Sequence, residues 1–577
     1  MGAVRRFLRD ERGAMAIMFA GAMILGAMVS ALAVDAGSLY LERRMMQSAA
    51  DLAALQATRD PSSAFSIARG AMVEAGYLTG IETQQQLQDP LKPQRLIVES
   101  GQYTPDPSQP VGQRFKPGLT PYNAVRVRYE QKGNLYFARF WSEPPPIGVE
   151  AVATTTPEVA FSVGSRLLSL KDGLANVLLN GLLGTNVSVA AASYNALLDA
   201  RVSAFGFLDA LASEMHITAG TYADILNAKA DHGVIARALA ATLNGTEKTA
   251  MQAIAAAAGH NGEVSIGKLF DLGRYANLAI GTGETGIFTK VSALEVLSVS
   301  AALSDGTHQV ALNTGINVPG LVGATVKLAV GEPPQGGSWY AIGPTGTIVR
   351  TAQVRLKLNV RLSLDILDLG LVSSLLALLG IPHIVEVNVP VYVEVANAEA
   401  TAVAATCPTG NAVSGTATIA VRPGVARVVL GEVSDAAMAN FGTFPTVGEA
   451  KLINALGLIQ ATGKAHVQVA EMQPKLVSFS TSEIAAGKVK SVSTTAITQS
   501  LMTSLLSDLK LDVTVLGLLG GLLSDVLAKT GLLNLLSPLG AALDPVLASL
   551  LNTLGVKVGE ADVQVYGVRC APPVLVR

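Results

Sequence analysis

Two glycine-bearing stretches and six histidines come nearest, in type and spacing, to chemistry in this chain. GEVSIGKL at 262–269 has the spacing of a phosphate-binding loop through Lys268. Such a loop cradles phosphate with backbone N–H groups, while its lysine reaches the outer oxygens. It also needs a strand in front and a Ser or Thr for Mg²⁺ directly after the lysine. Here an alanine-rich helical stretch, 254–258, precedes it and Leu269 follows the lysine, so a surface loop is expected. GTGETG at 281–286 satisfies the GxGxxG pattern, with Asp305 downstream. No strand–helix–strand unit surrounds it, and a glycine-rich turn explains it.

His216, His232, His260, His308, His383 and His466 are scattered, and none has a cysteine or second histidine at metal-ligand spacing. Ser338, in GGSWY at 336–340, lacks the setting of a nucleophile elbow. We therefore expect no catalytic residue, no cofactor, no metal site and no enzyme. A formal net charge of −2 and a pI near 6.3 argue against a nucleic-acid surface. With half the residues hydrophobic and 15% charged, the chain reads as packed protein. Aromatics are only 5%, so its core must be built from Leu, Val and Ala.

The residues with the most consequence are arginines. Arg5, Arg6, Arg9 and Arg12 precede GAMAIMFAGAMILGAMVSALAV, a charge-free run over 13–34. As a helix that run is roughly 33 Å long, enough to cross a bilayer core of ~30 Å. A basic flank stays in the cytoplasm, so the chain after Asp35 is expected on the far side of the membrane. A cleaved signal peptide would need Ala31-Leu32-Ala33 as its cleavage site. Against it, the helical pattern continues without Gly or Pro over 38–60, where Leu41, Met45, Ala49, Leu52 and Leu55 recur at helical spacing. Within the span, Ala16, Ala20, Ala27 and Ala31 lie close to one side, and Ala22 with Gly26 adds a small-xxx-small pair. Another helix, including one from a second copy, is expected to dock on such a face.

The N-terminal segment RRFLRDERGAMAIMFA…AVDAGSLYLERRMMQSAADLAAL resembles that of TadG-like proteins of the bacterial Tad/Flp pilus-assembly system. The likeness rests on Arg12-Gly13 before the apolar run, Phe19, the Ala-Val-Asp step ending at Asp35, and Tyr40-Leu41-x-x-Arg44 running into Ala49-Ala50-Asp51. It covers about sixty residues and implies an inner-membrane protein that helps build or anchor a thin adhesive pilus, with other pilus-assembly proteins as partners. Pilin-like members carry Gly-x-x-x-x-Glu-Phe and are cut after the Gly. Here Gly13 and Phe19 fit, but Met18 holds the Glu position, so filament formation is not expected. The Asp-x-Ser-x-Ser metal motif of some relatives is missing from the sequence.

The expected class is α+β: a transmembrane helix extended by an amphipathic helix, then a mixed helix/strand exported region. The segments are a cytoplasmic flank over 1–12, the span over 13–34, the juxtamembrane helix over 35–60, a loop-rich and β segment over 61–165, a mainly helical one over 166–288, and a mixed α+β domain over 289–577. Within them, 61–121 reads as loop after a short helix near 63–76. Residues 124–140 read as a hairpin turning at Lys132-Gly133-Asn134. Leu-rich helices are expected at 371–380 and 497–553, the latter as core, since Pro538 and Pro545 cut it into pieces too short to span.

VEVANAEATAVAATC at 393–407 aligns without gaps on VKVGEADVQVYGVRC at 556–570, with identities at Val393/Val556, Val395/Val558, Ala398/Ala561 and Cys407/Cys570. This is either a duplicated unit whose strands lie together or chance alternation. Cys407 and Cys570 are the chain's two cysteines. On the exported side, where disulfides persist, they are expected to bond to each other; two free buried thiols are the alternative. The function expected is a membrane-anchored periplasmic assembly or anchoring factor of a Tad/Flp-type pilus. The alternatives are a minor pilin-like subunit, or a periplasmic ligand-binding or enzymatic domain on a membrane anchor.

Overall fold

A computed structural model describes residues 14–164, 200–283, 290–304, 309–312, 321–331, 337–365, 384–408, 414–493, 508–515 and 560–576, apart from short gaps within them, and a few positions between 180 and 199. The architecture is α+β. The chain divides into two compact units, one holding 1–157, 406–412 and 570–577, the other 158–405 and 413–569.

The first unit is a helix layer on a sheet. Helix α1 (Ala14–Ala57) runs unbroken through the apolar stretch and the juxtamembrane segment, about 66 Å at 1.5 Å per residue. Helix α2 (Ala64–Glu74) follows a turn begun by Pro61, where Asp60 accepts from the Ser62 N–H. The strands are β1 (Arg95–Tyr103), β2 (Phe115–Pro117), β3 (Ala124–Lys132), β4 (Pro146–Thr154) and the C-terminal β5 (Val574–Val576), all antiparallel in the order β2-β1-β3-β4-β5. Period-two alternation sets the faces. Val125, Val127 and Tyr129 of β3, with Ile147, Val149, Ala151 and Ala153 of β4, point into the core. Arg126, Arg128 and Glu130 point out, opposite Glu99, Glu150 and Arg95 in register, and each pair forms an ion pair.

Three expectations change here. The stretch over 61–121 contains a full strand, β1, whose Leu96 and Val98 belong to the core while Glu99 reaches Arg126. Short proline-rich turns on either side had hidden it. The 124–140 segment is not a hairpin. β3 pairs instead with β1 and β4, and residues 134–141 loop away, ending in a short 3₁₀ turn at Ala138–Phe140. The reason is Asp35, described below. Third, the buried face of α1 is an alanine stripe: Met46, Ala49, Ala50, Ala53, Ala54 and Ala57. Leu41, Met45 and Leu52 are exposed and Leu55 is half-buried. Alanines let the helix settle close to the sheet, and its polar side chains then reach strand carbonyls. Gln47 Nε2 donates to the Glu150 carbonyl at 2.8 Å, and Thr58 Oγ1 to that of Ala153 at 3.3 Å.

The second unit combines helices Ala204–Glu214, His232–Thr242, Gly245–Ala258 and Ala293–Leu303 with, among the described residues, sheets of eight, five and four strands. The larger helices and the eight-stranded sheet share one core. The repeat-bearing strands do not pair. Glu399–Ala405 lies in the four-stranded sheet and Glu560–Cys570 in the five-stranded one, and both contribute to one core through Ala400, Ala402, Val563 and Val565. Alternation put valines and alanines on one face of each strand, which fits stacking as well as pairing. The Leu-rich stretches over 371–380 and 516–553 lie outside the described residues. Within the expected helix over 497–553, however, Lys510–Val515 is a strand paired with Ile459–Val469, as its alternating Leu511, Val513 and Val515 favour.

Candidate functional site at the root of the apolar helix

The structure assembles a polar clamp where the apolar half of α1 ends. Asp35 is 4% exposed. Its carboxylate accepts three backbone N–H groups of the loop after β3: Tyr136 at 2.8 Å, Phe137 at 3.1 Å and Ala138 at 2.7 Å. Burial works against its charge, but these N–H groups outweigh that, and its pKa falls below the ordinary 3.8. Glu42, seven positions on and so on the same helix face, accepts from the Asn134 N–H at 3.0 Å and from Gln131 Nε2 at 2.7 Å. Gln131 Oε1 accepts in turn from the Tyr129 hydroxyl, itself an acceptor from Gln94 Nε2. Burial pushes the Tyr129 pKa up to about 12, so it stays a neutral donor. Gly133 serves close approach: a Cβ there would come within 2.8 Å of Ile147 Cδ1 and closer still to Leu39.

This clamp was missed from sequence. In the sequence Asp35 marks the end of the span and of the Ala-Val-Asp step, and nothing singles out Glu42 as its companion. Their spacing of seven, with a donor-rich Gly-Asn segment elsewhere, was the available signal.

The remaining candidates stand as follows. Arg5, Arg6, Arg9 and Arg12 lie outside the described residues. Ala16, Ala20, Ala22, Gly26 and Ala27 are exposed on α1 and Ala31 is half-buried; nothing lies within 4 Å of a Cβ built on Gly26. Cys407 and Cys570 are joined by a disulfide, with Cα atoms 5.6 Å apart. Just beyond it, the Thr155 hydroxyl donates to the Ala571 carbonyl, and β5 completes the sheet edge on β4. The 262–269 motif folds as strand Glu263–Ser265 and a four-residue helix, Ile266–Leu269, which is no phosphate loop. The 281–286 motif lies partly outside the described residues. His232 is buried, His260 pairs with Asp231, and His308 and His383 lie outside the described residues. Among the described residues no three His, Cys, Asp or Glu side chains gather as a metal site. A cleft of about 420 Å³ in the second unit has Arg201, Lys290, Arg569, Ser414, Gln564 and Tyr566 among its lining residues, and no carboxylate or imidazole lines it among the described residues.

In this unit one long helix packs one half on an antiparallel sheet, while its other half is exposed and is long and apolar enough to cross a membrane. Residues 36–153, which hold the packed half of the helix, α2 and β1–β4, match the family described as "Putative Tad-like Flp pilus-assembly". The first unit thus carries a Tad-like pilus-assembly domain, and that domain supports a role in Tad/Flp pilus assembly. Residues 171–302 match a domain of unknown function (DUF8293). No curated protein and no solved structure matches the chain.

Proposed function

We propose that this chain is a TadG-like assembly or anchoring factor that crosses the inner membrane once through residues 13–34, with its amino terminus in the cytoplasm and the chain from Asp35 onward in the periplasm. It acts through protein contacts, not catalysis. The observation that carries this reading is the continuity of α1. The same helix is bare over its apolar half and is the core helix of the Tad-type domain over the other, so membrane position and domain position are rigidly linked. The arginine cluster supports the orientation, and the absence of a carboxylate at Met18 speaks against incorporation into a fibre.

Crosslinking in intact envelopes followed by pull-down tests it. The expected result is co-recovery of other pilus-assembly proteins with an uncut chain in the membrane fraction. Recovery in sheared fibres with a new terminus at Ala14 would overturn it in favour of a minor pilin-like subunit.

A further inference from the structure

Four of the six residues from Tyr136 to Trp141 are aromatic, in a chain with 5% aromatic residues and two tryptophans. Asp35 holds the backbone N–H groups of Tyr136, Phe137 and Ala138, yet the four rings are not in the core. Tyr136 is 60% exposed, Phe137 47%, Phe140 76% and Trp141 70%. Each such ring carries roughly 150–250 Å² of mostly apolar surface, so leaving four in water is unfavourable. The exposure is also directed. Phe137 and Trp141 line a groove of about 860 Å³ against Ile24, Ala27, Met28, Ala31, Leu32 and Val34 of α1. Residues 24–34 cover about 15 Å of helix axis, the outer half of the span. The loop therefore lies beside helix surface that is itself apolar and uncovered. Its one charge, Arg139, stacks its guanidinium 5.0 Å from the centre of the Phe140 ring.

We propose that residues 136–141 are an interfacial foot. Tyr136, Phe137, Phe140 and Trp141 enter the headgroup and upper acyl region of the outer leaflet, beside the span, and Arg139 meets the lipid phosphates. Tyrosine and tryptophan favour this depth, where an apolar ring body and a polar edge are both satisfied. An arginine can lay its apolar stem along the rings and keep its charged end at the surface. The occupant is the bilayer because the foot is continuous with the helix surface that the span exposes to lipid. The Asp35 clamp sets the depth of the foot relative to the helix, so the sheet is held against the membrane at two points. This rests on the membrane-spanning reading of residues 13–34.

The test uses the full chain in vesicles of phosphatidylethanolamine and phosphatidylglycerol, with lipids brominated at shallow or deep acyl positions. Trp339→Phe leaves Trp141 as the sole tryptophan. Should that buried site not tolerate Phe, the difference between the unaltered chain and Trp141→Phe isolates the same emission. The expected result is blue-shifted Trp141 emission, strongly quenched by shallow bromines and weakly by deep ones. Alkaline extraction is run in parallel. A chain that resists extraction but shows water-like, unquenched Trp141 overturns the foot alone. Blue-shifted but unquenched emission also overturns it, by putting the loop against protein. A chain that washes off the vesicles overturns the span and the foot together.

Discussion

The two halves of α1 differ in charge and in surroundings. Over 14–34 no side chain is charged, and the large apolar ones, Met23, Ile24, Leu25 and Met28 among them, stand exposed between alanines and glycines. Over 46–57 the buried residues are nearly all alanine, packed on Val125, Val127, Val149 and Ala151. The first half presents apolar surface that the described residues leave mostly uncovered; the second presents alanines to a sheet at close range. The half left for another solvent carries no charge, whereas the half that packs on its own domain carries Gln47, Asp51 and Gln56 and buries a stripe of alanine. At the junction sits Asp35, a charge that belongs in neither medium and is satisfied by three backbone N–H groups.

Charges in the bare half should have the largest effect. Met23→Arg with Leu25→Arg places two charges mid-span at about 2.5–3.5 kcal/mol each. The double variant should lose alkali-resistant membrane association while the Tad-type domain stays folded by circular dichroism. Equal retention of variant and unaltered chain would mean that 13–34 is not a span.

Next comes the disulfide. Cys407→Ser opens a link between residues 163 apart and frees the strand that completes the sheet edge. A loss of about 2–5 kcal/mol is expected in urea unfolding under non-reducing conditions. Reducing agent should bring the unaltered chain to the same midpoint.

Alanine enlargement sharpens the contrast between the halves most directly. Ala53→Leu, at a fully buried position against the sheet, should cost about 1–3 kcal/mol by overpacking. Ala20→Leu, in the bare half, should leave the unfolding midpoint of the domain unchanged. Equal effects at both sites would erase the distinction.

The smallest expected effect is that of acid on the clamp. Because the pKa of Asp35 is lowered in the folded state, its contribution is complete above the ordinary value of 3.8 and is lost as pH falls through the lower folded value. Cleavage of the 133–142 loop by an acid-active protease should therefore rise only below that value. Asp35→Asn should raise cleavage already at higher pH and flatten the dependence.

Much of the first unit was legible because its signals are local. Arg126, Arg128 and Glu130 alternate with Val125, Val127 and Tyr129, and that alternation alone defines a strand with one wet face. The absence of Gly and Pro after Gly37 marks a helix through to Ala57. What was not legible depends on distant partners. The turn expected at Lys132-Gly133-Asn134 gave way because Glu42 and Asp35, some ninety to a hundred positions earlier, hold residues 134–138 in a loop. The face of α1 that packs was misread because Leu41, Met45 and Leu52 look like core, and only the sheet's closeness explains the preference for alanine.

In the second unit, likewise, Arg355 is fully buried against Glu394 at 3.1 Å and donates to the carbonyls of Ala437, Asn440 and Thr443. No sequence pattern announces that a charged residue in an alternating strand will be a buried pin.

In the proposed topology α1 carries the Tad-type domain out of the cytoplasm. The most direct measurement of that topology is a pair of fusions after Arg577, one to a reporter active only in the periplasm and one to a reporter active only in the cytoplasm. The periplasmic reporter should be active and the cytoplasmic one silent, with the difference weakened or inverted when Arg5, Arg6, Arg9 and Arg12 are all replaced by Glu. A silent periplasmic reporter beside an active cytoplasmic one, from a stably produced fusion, would contradict it.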